Sequence, residues 1–164
     1  MNEQASDTDF IDNVVMLRPG PTPDGARDVA ADAPTMALVR RLRGLLRGSL
    51  LQARDDLDHA CILITAEPSV SAERYAAAFF HGLESFARRQ LRFYTEKADM
   101  ASVDEMWLAR MIQALQIRDT VNARYLLALR VEPAGRRRLL FLAQGLADAL
   151  LAEDTARAAL HSKT

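Results

Sequence analysis

A chain of 164 residues, 49% of them apolar, has enough material for one ordinary domain with one hydrophobic core and a tail, and is short for a multi-domain enzyme. Its 19 Arg and 2 Lys stand against 22 acids for a formal net charge of −1, so no global field draws it to nucleic acid or a membrane surface. The single cysteine, Cys61, excludes an intramolecular disulfide framework and any multi-cysteine zinc site within one chain, and it fits a reducing compartment.

Arg or Asp interrupts every apolar run well before the roughly 18 residues a membrane span needs, and Cys61-Ile62-Leu63-Ile64 is far too short. Met1 to Asp12 holds Glu3, Asp7, Asp9 and Asp12 with no Lys or Arg, the wrong start for a signal peptide. The expectation is a cytoplasmic protein without a targeting segment or a membrane partner.

Charge divides the chain into an arm, 1–34, and a body, 35–164. The arm carries two Arg and seven acids, net −5, which leaves the body at net +4. Pro19-Gly20-Pro21-Thr22-Pro23-Asp24-Gly25 prevents the arm from continuing a helix or strand, and its low apolar content predicts a flexible, disordered segment. Phe10 to Leu17 is a β-prone exception. It reads either as a peptide that pairs with a partner or folds back on the body, or, more plainly, as a sticky tail, and the plainer reading is preferred.

Pro34 followed by Thr35 marks a helix start. From Met36 to about His59, Leu38, Val39, Leu42, Leu45, Leu46, Leu50, Ala53 and Leu57 share a broad face at about 100° per residue. Arg40, Arg43, Arg47 and Arg54 are read as a basic stripe opposite it. Gly44 and Gly48 either allow close packing or mark a bend, and Cys61 to Thr65 fits a helix extension or a short buried strand.

Pro68 breaks the chain, Ser71 is an N-cap, and Ala72 to about Thr95 predicts the best amphipathic helix, with Tyr75, Phe79, Phe80, Leu83 and Leu91 inward and His81, Arg88, Arg89 and Arg92 on its polar face. Ser102-Val103-Asp104-Glu105 has the form of a capping box and should open a helix with Trp107, Leu108, Met111, Ile112 and Leu115 in the core. Asp119 or Thr120 caps a further helix carrying Val121, Tyr125, Leu126 and Leu129. After Pro133-Ala134-Gly135, Arg136 to about Glu153 supplies the next helix, and Ala156 to His161 a short last one that frays unless it docks. The competing reading of this region, a β-hairpin of Leu127–Val131 with Arg138–Leu142, is disfavoured because both arms are Leu- and Ala-rich rather than β-branched.

The fold class is therefore all-α: a single helical bundle of about five (four to six) helices with a disordered N-terminal arm. Leu51, Met106 and Ile117 fall outside single core faces. They read equally as a second buried surface, such as a homodimer contact, and as ordinary surface apolar residues.

Groupings that would carry chemistry are missing. His59, His81 and His161 are far apart, and His81-Gly82-Leu83-Glu84 is one His-x-x-Glu without the second copy a carboxylate-bridged metal bundle needs. His81 is read as solvated, about 160° from the middle of the apolar stripe. His59 and Cys61, at i and i+2, point about 160° apart on a helix, and a cysteine beside Ile62, Leu63 and Ile64 is an ordinary buried residue. No phosphate loop, nucleophile elbow or dinucleotide fingerprint occurs. His81 on a helix of a small bundle resembles a histidine phosphotransfer module in architecture, but the lysine and glycine that follow the histidine there are absent.

These observations predict no catalytic, cofactor-binding or metal residues, no cofactor, and a non-enzymatic helical protein that acts by contact with a protein partner or a second copy of itself. The interaction surface assigned from sequence is Arg40, Arg43, Arg47, Arg54, Arg88 and Arg92. Nucleic-acid binding through those arginines together with Arg136-Arg137-Arg138 is the alternative, set back by the near-neutral charge, the neighbouring acids and the lack of a helix-turn-helix. A ligand- or metal-binding bundle is the third.

Overall fold

Pro34 sits in the first turn of α1 (Ala33–Leu50), where the backbone N–H groups have no helical partner to lose and the ring's fixed φ suits the helix. Met36, Val39, Leu42 and Leu46 then recur at helical spacing and are buried. The expected continuation to His59 does not occur. The chain leaves the helix at Leu50 and restarts as α2 (Leu57–Ala66), because Asp56 caps a new helix by accepting the backbone N–H of His59 at 3.2 Å. Cys61 to Thr65 belongs to this helix, which decides against a strand. The computed structural model describes residues 15–18 and 28–163, and the rest of the arm, with its expected disorder, lies outside them.

Ser71 caps α3 (Ala72–Phe86) by accepting the N–H of Arg74, and Ala72, Ala76, Phe79, Phe80 and Leu83 are buried. This helix also ends earlier than the period predicts. Ala87 turns extended and bridges antiparallel to Val131, while Arg88 N–H donates to the Arg130 carbonyl and Glu132 N–H to that of Phe86. The chain then runs as β2 (Leu91–Tyr94), with Leu91 and Phe93 buried. Leu91 and Tyr94 stand three residues apart, a helical spacing. Long-range bonds override it: Arg92 N–H donates to Asp104 and Tyr94 N–H to Glu105. The other edge of β2 pairs in parallel with β1 (Val15–Arg18), Val15 opposite Leu91 and Arg18 opposite Tyr94, so this part of the β-prone stretch lies back against the body.

Ser102 and Glu105 complete the expected capping box at the start of α4 (Val103–Gln116). That helix ends in a reverse turn in which Arg118 N–H donates to the Leu115 carbonyl and Asp119 N–H to that of Ala114, with Arg118 in the left-handed region at φ 63°, where glycine is usual. Asp119 immediately caps α5 (Thr120–Arg130) through the N–H of Asn122, so no linker remains to adjust how α5 is turned about its axis. Trp107 Nε1 donates to the Leu126 carbonyl at 2.7 Å and fastens the helix to α4. As a result most of the expected core face of α5 is turned outward, although Leu126 still packs partly against the core. Ala123 and Leu127 are buried, while Val121, Tyr125 and Leu129 face solvent.

Pro133 opens α6 (Pro133–His161), a single helix where two were expected, since nothing between Glu153 and Ala156 breaks it. The hairpin alternative is thereby excluded. Buried positions stop at Leu150. Gly135 and Gly145 let α6 approach closely: a Cβ would stand 2.5 Å from Phe86 Cγ and 2.1 Å from Tyr75 Cε1. At Gly48 nothing lies within 4 Å, so close packing does not explain that glycine.

The six helices among the described residues form an all-α bundle in which α3 packs on α1 and α6, α4 packs on α6 and α5, and α2 and α5 each touch α6. Phe79, Phe80 and Phe93 meet edge to face in the core. Of the surplus apolar residues, Met106 is buried after all, while Leu51 and Ile117 are exposed. Among the described residues no helix is long and apolar enough to cross a membrane.

Candidate functional site

The arginines assigned to one stripe separate into different environments. Arg43 is 2% exposed and does not belong to a surface. On a helical wheel it falls roughly 40° from Val39, inside the buried face, and the sequence reading placed it on the wrong side. Its Nε and Nη2 donate to Glu105 at 2.7 and 2.9 Å, and its other donors reach the Ala98 and Met100 carbonyls at 2.8 Å each. Glu105 also accepts from Tyr94 and Ser102 N–H, so one carboxylate joins α1, β2 and the start of α4. The adjacent Asp104 accepts from Arg89, Arg130 and Arg92 N–H. This polar spine is architectural: it fixes the 87–102 segment. Among the described residues no buried side-chain nitrogen or oxygen lacks a hydrogen bond.

Arg47 pairs with Glu96 at 3.2 Å and Arg54 with Glu84 at 2.7 Å. Arg92 is half-buried and held in the spine segment, while Arg40 and Arg88 are exposed without an ion pair among the described residues. Two of the six predicted residues therefore present an uncommitted cation.

The histidines are also placed differently from expectation. His81 is half-buried, not solvated: its Nε2–H donates to the Ser49 carbonyl at 2.9 Å and staples α3 to the end of α1. His59 pairs with Asp55 at 2.7 Å, and this bond holds the Asp55 carboxyl below its ordinary range. Burial pushes the Cys61 thiol up, the reverse of what an activated nucleophile requires. Among the described residues no three His, Cys, Asp or Glu side chains are grouped to hold a metal ion.

The concave feature that stands out is a groove of about 760 Å³ between α2 and the N-terminal half of α6. Cys61, Ile62, Ala134 and Phe141 give it an apolar lining, and Arg137 and Arg138 stand at its rim. Ile62 is 66% and Phe141 43% exposed, so the chain leaves bulky apolar side chains bare there. Arg138 is engaged: it bonds Asp58 and the Ala134 carbonyl at 2.7 Å and lies over the Phe86 ring. Arg137 is exposed and carries no ion pair among the described residues. It also lines a smaller groove of about 310 Å³ toward α5, with Arg124, Arg136 and Leu140.

The sequence drew attention to Arg136-Arg137-Arg138 but not to the groove. Ile62 read as part of a buried run, and its exposure follows from the turn of α2 against α3 and α6, which a single-helix pattern does not contain.

Comparison of the chain with protein-family models, curated proteins and solved structures found no match.

Proposed function

We propose that this is a non-enzymatic cytoplasmic regulator or adaptor that works by protein–protein contact, seating an apolar, acid-bearing helical segment of a partner in the groove between α2 and α6. The supporting observation is the pairing of bare Ile62 and Phe141 with Arg137, a cation that no described acid neutralises. A trough between two helices suits a third helix laid into it, its apolar anchors down and its carboxylates toward the rim. Hydrophobic burial would supply affinity and the arginines would set orientation and encounter rate. Nucleic-acid binding has less support, because Arg43, Arg47 and Arg54 already face carboxylates.

The test is a photoreactive side chain placed at Ile62 or at Phe141 of the full chain in its own cells. The expected result is a predominant protein adduct through an acidic, apolar segment, with the isolated segment binding at least about tenfold more weakly to an Arg137→Glu variant. Adducts to nucleic acid, or binding indifferent to Arg137→Glu, would refute the reading.

A further inference from the structure

In the arm, Asp7-Thr8-Asp9-Phe10-Ile11-Asp12 sets two bulky apolar side chains among three carboxylates with no Lys or Arg. That chemistry complements the α2–α6 groove, where Ile62 and Phe141 are bare and Arg137 has no ion pair among the described residues. β1 decides where this segment starts. It runs parallel to β2 with Val15 opposite Leu91, so the residues before Val15 leave past the beginning of β2 and not past its end. On that side the body presents the exposed cation Arg88 and then Phe86, whose carbonyl accepts from Glu132 N–H at the entry to α6. Phe86 borders the groove. Arg138 lies 5.2 Å from its ring centroid, and Gly135, between the lining residues Ala134 and Arg137, packs closely against it. Leu91 follows Phe86 by the same number of residues as Val15 follows Phe10. A run of that length spans at most about 18 Å, so Phe10 reaches back to the Ala134 end of the groove while β1 stays paired.

We propose that residues 7–12 seat in the α2–α6 groove of their own chain, Phe10 and Ile11 on its apolar lining and the carboxylates toward Arg137, and keep it covered until a partner displaces them. This contact rests on the reading of the groove as a docking site for an apolar, acid-bearing segment, and adds its regulation by the chain itself. A tether this short sets an effective concentration on the order of 1 mM. A contact with an affinity of only about 0.1 mM therefore covers the groove for roughly nine-tenths of the time, which is weak enough for a tighter partner to displace.

The sole cysteine supplies the test without added labels. Cys61 lines the groove, so its rate of alkylation by the uncharged reagent N-ethylmaleimide, measured on the full chain, reports how often the groove is open. Phe10→Ser with Ile11→Ser should raise that rate about tenfold and Arg137→Glu at least about threefold, with helical circular dichroism and the urea midpoint unmoved. The native rate should not depend on protein concentration. A rate indifferent to the Phe10 and Ile11 substitutions would overturn the proposal, and protection that grows with concentration would hand the groove to the arm of a second copy and overturn it too. A photoreactive side chain at Ile62 of the purified chain gives a second reading: an adduct to residues 7–12 of the same chain is expected, and adducts only elsewhere would count against it. Unprotected Cys61 with the cellular partner adduct retained would sink the arm contact alone, whereas protected Cys61 with no adduct to another protein would sink the partner reading alone.

Discussion

Arg43 and Arg47 are one helical turn apart and carry the same charge, yet they should respond to the same substitution very differently. Arg43→Met removes both Arg–Glu105 bonds, 2.7 and 2.9 Å long, and strips the Ala98 and Met100 carbonyls of their donors. Glu105 is 2% exposed and would remain a buried carboxylate with only the N–H groups of Tyr94 and Ser102 for company. Removing one partner of a buried pair costs about 3–5 kcal/mol, most of it the penalty for the charge left behind. For a chain of this length, that corresponds to a melting temperature lower by roughly 6–20 °C.

Arg47→Met breaks an ion pair with Glu96 whose side chains are 59% and 43% exposed, and it should cost less than about 1 kcal/mol. Urea unfolding followed by helical circular dichroism measures both. Adding Glu105→Gln to Arg43→Met should cost less than the two single losses together, because the second change removes the stranded charge. If the Arg43 and Arg47 variants lost stability equally to within about 1 kcal/mol, the spine would not be the buried anchor the geometry describes.

Two glycines give opposite expectations for the same substitution. Gly145→Ala drives a methyl into the Tyr75 ring and should destabilise by about 1–3 kcal/mol, whereas Gly48→Ala meets empty space and should stabilise by up to about 1 kcal/mol through helix propensity, so thermal melts should move apart. Tyr94 governs behaviour in base. Burial and the hydrogen bond to Asp28 push its phenol up to about 12, so this contribution to stability is whole below the unfolded phenol's value near 10 and is lost as pH rises toward 12. The loss approaches roughly 3 kcal/mol, and Tyr94→Phe should flatten urea midpoints over that interval relative to the native chain. Identical pH profiles for the two would refute the assignment.

Local chemistry was legible wherever it acts within a few residues. Ser71, Asp119 and the Ser102–Glu105 box mark helix starts because an N-cap satisfies backbone groups two or three positions away, and Pro34 marks one because its ring suits the first turn. The all-α class follows from apolar side chains at every third or fourth position, which have no sheet face to occupy. Where a helix must stop, or which side it turns inward, depended on partners far along the chain. Leu91 to Tyr94 keeps a helical spacing but becomes a strand because Asp104 and Glu105 take its N–H groups. The helical wheel already sets Arg43 beside Val39, but only Glu105, 62 residues away along the chain, supplies the carboxylate that pairs with it there.

The groove and the bare face of α5 belong to that second kind. Pattern alone established that the body is a set of amphipathic helices and that Ser71, Ser102 and Asp119 cap three of them, since those interactions close within one turn of helix, but it joined α1 to α2 and divided α6. Packing of α2 against α6, and the linkerless turn into α5, decided which apolar residues remained outside, because a segment's orientation is set by the neighbours it meets and not by its own period.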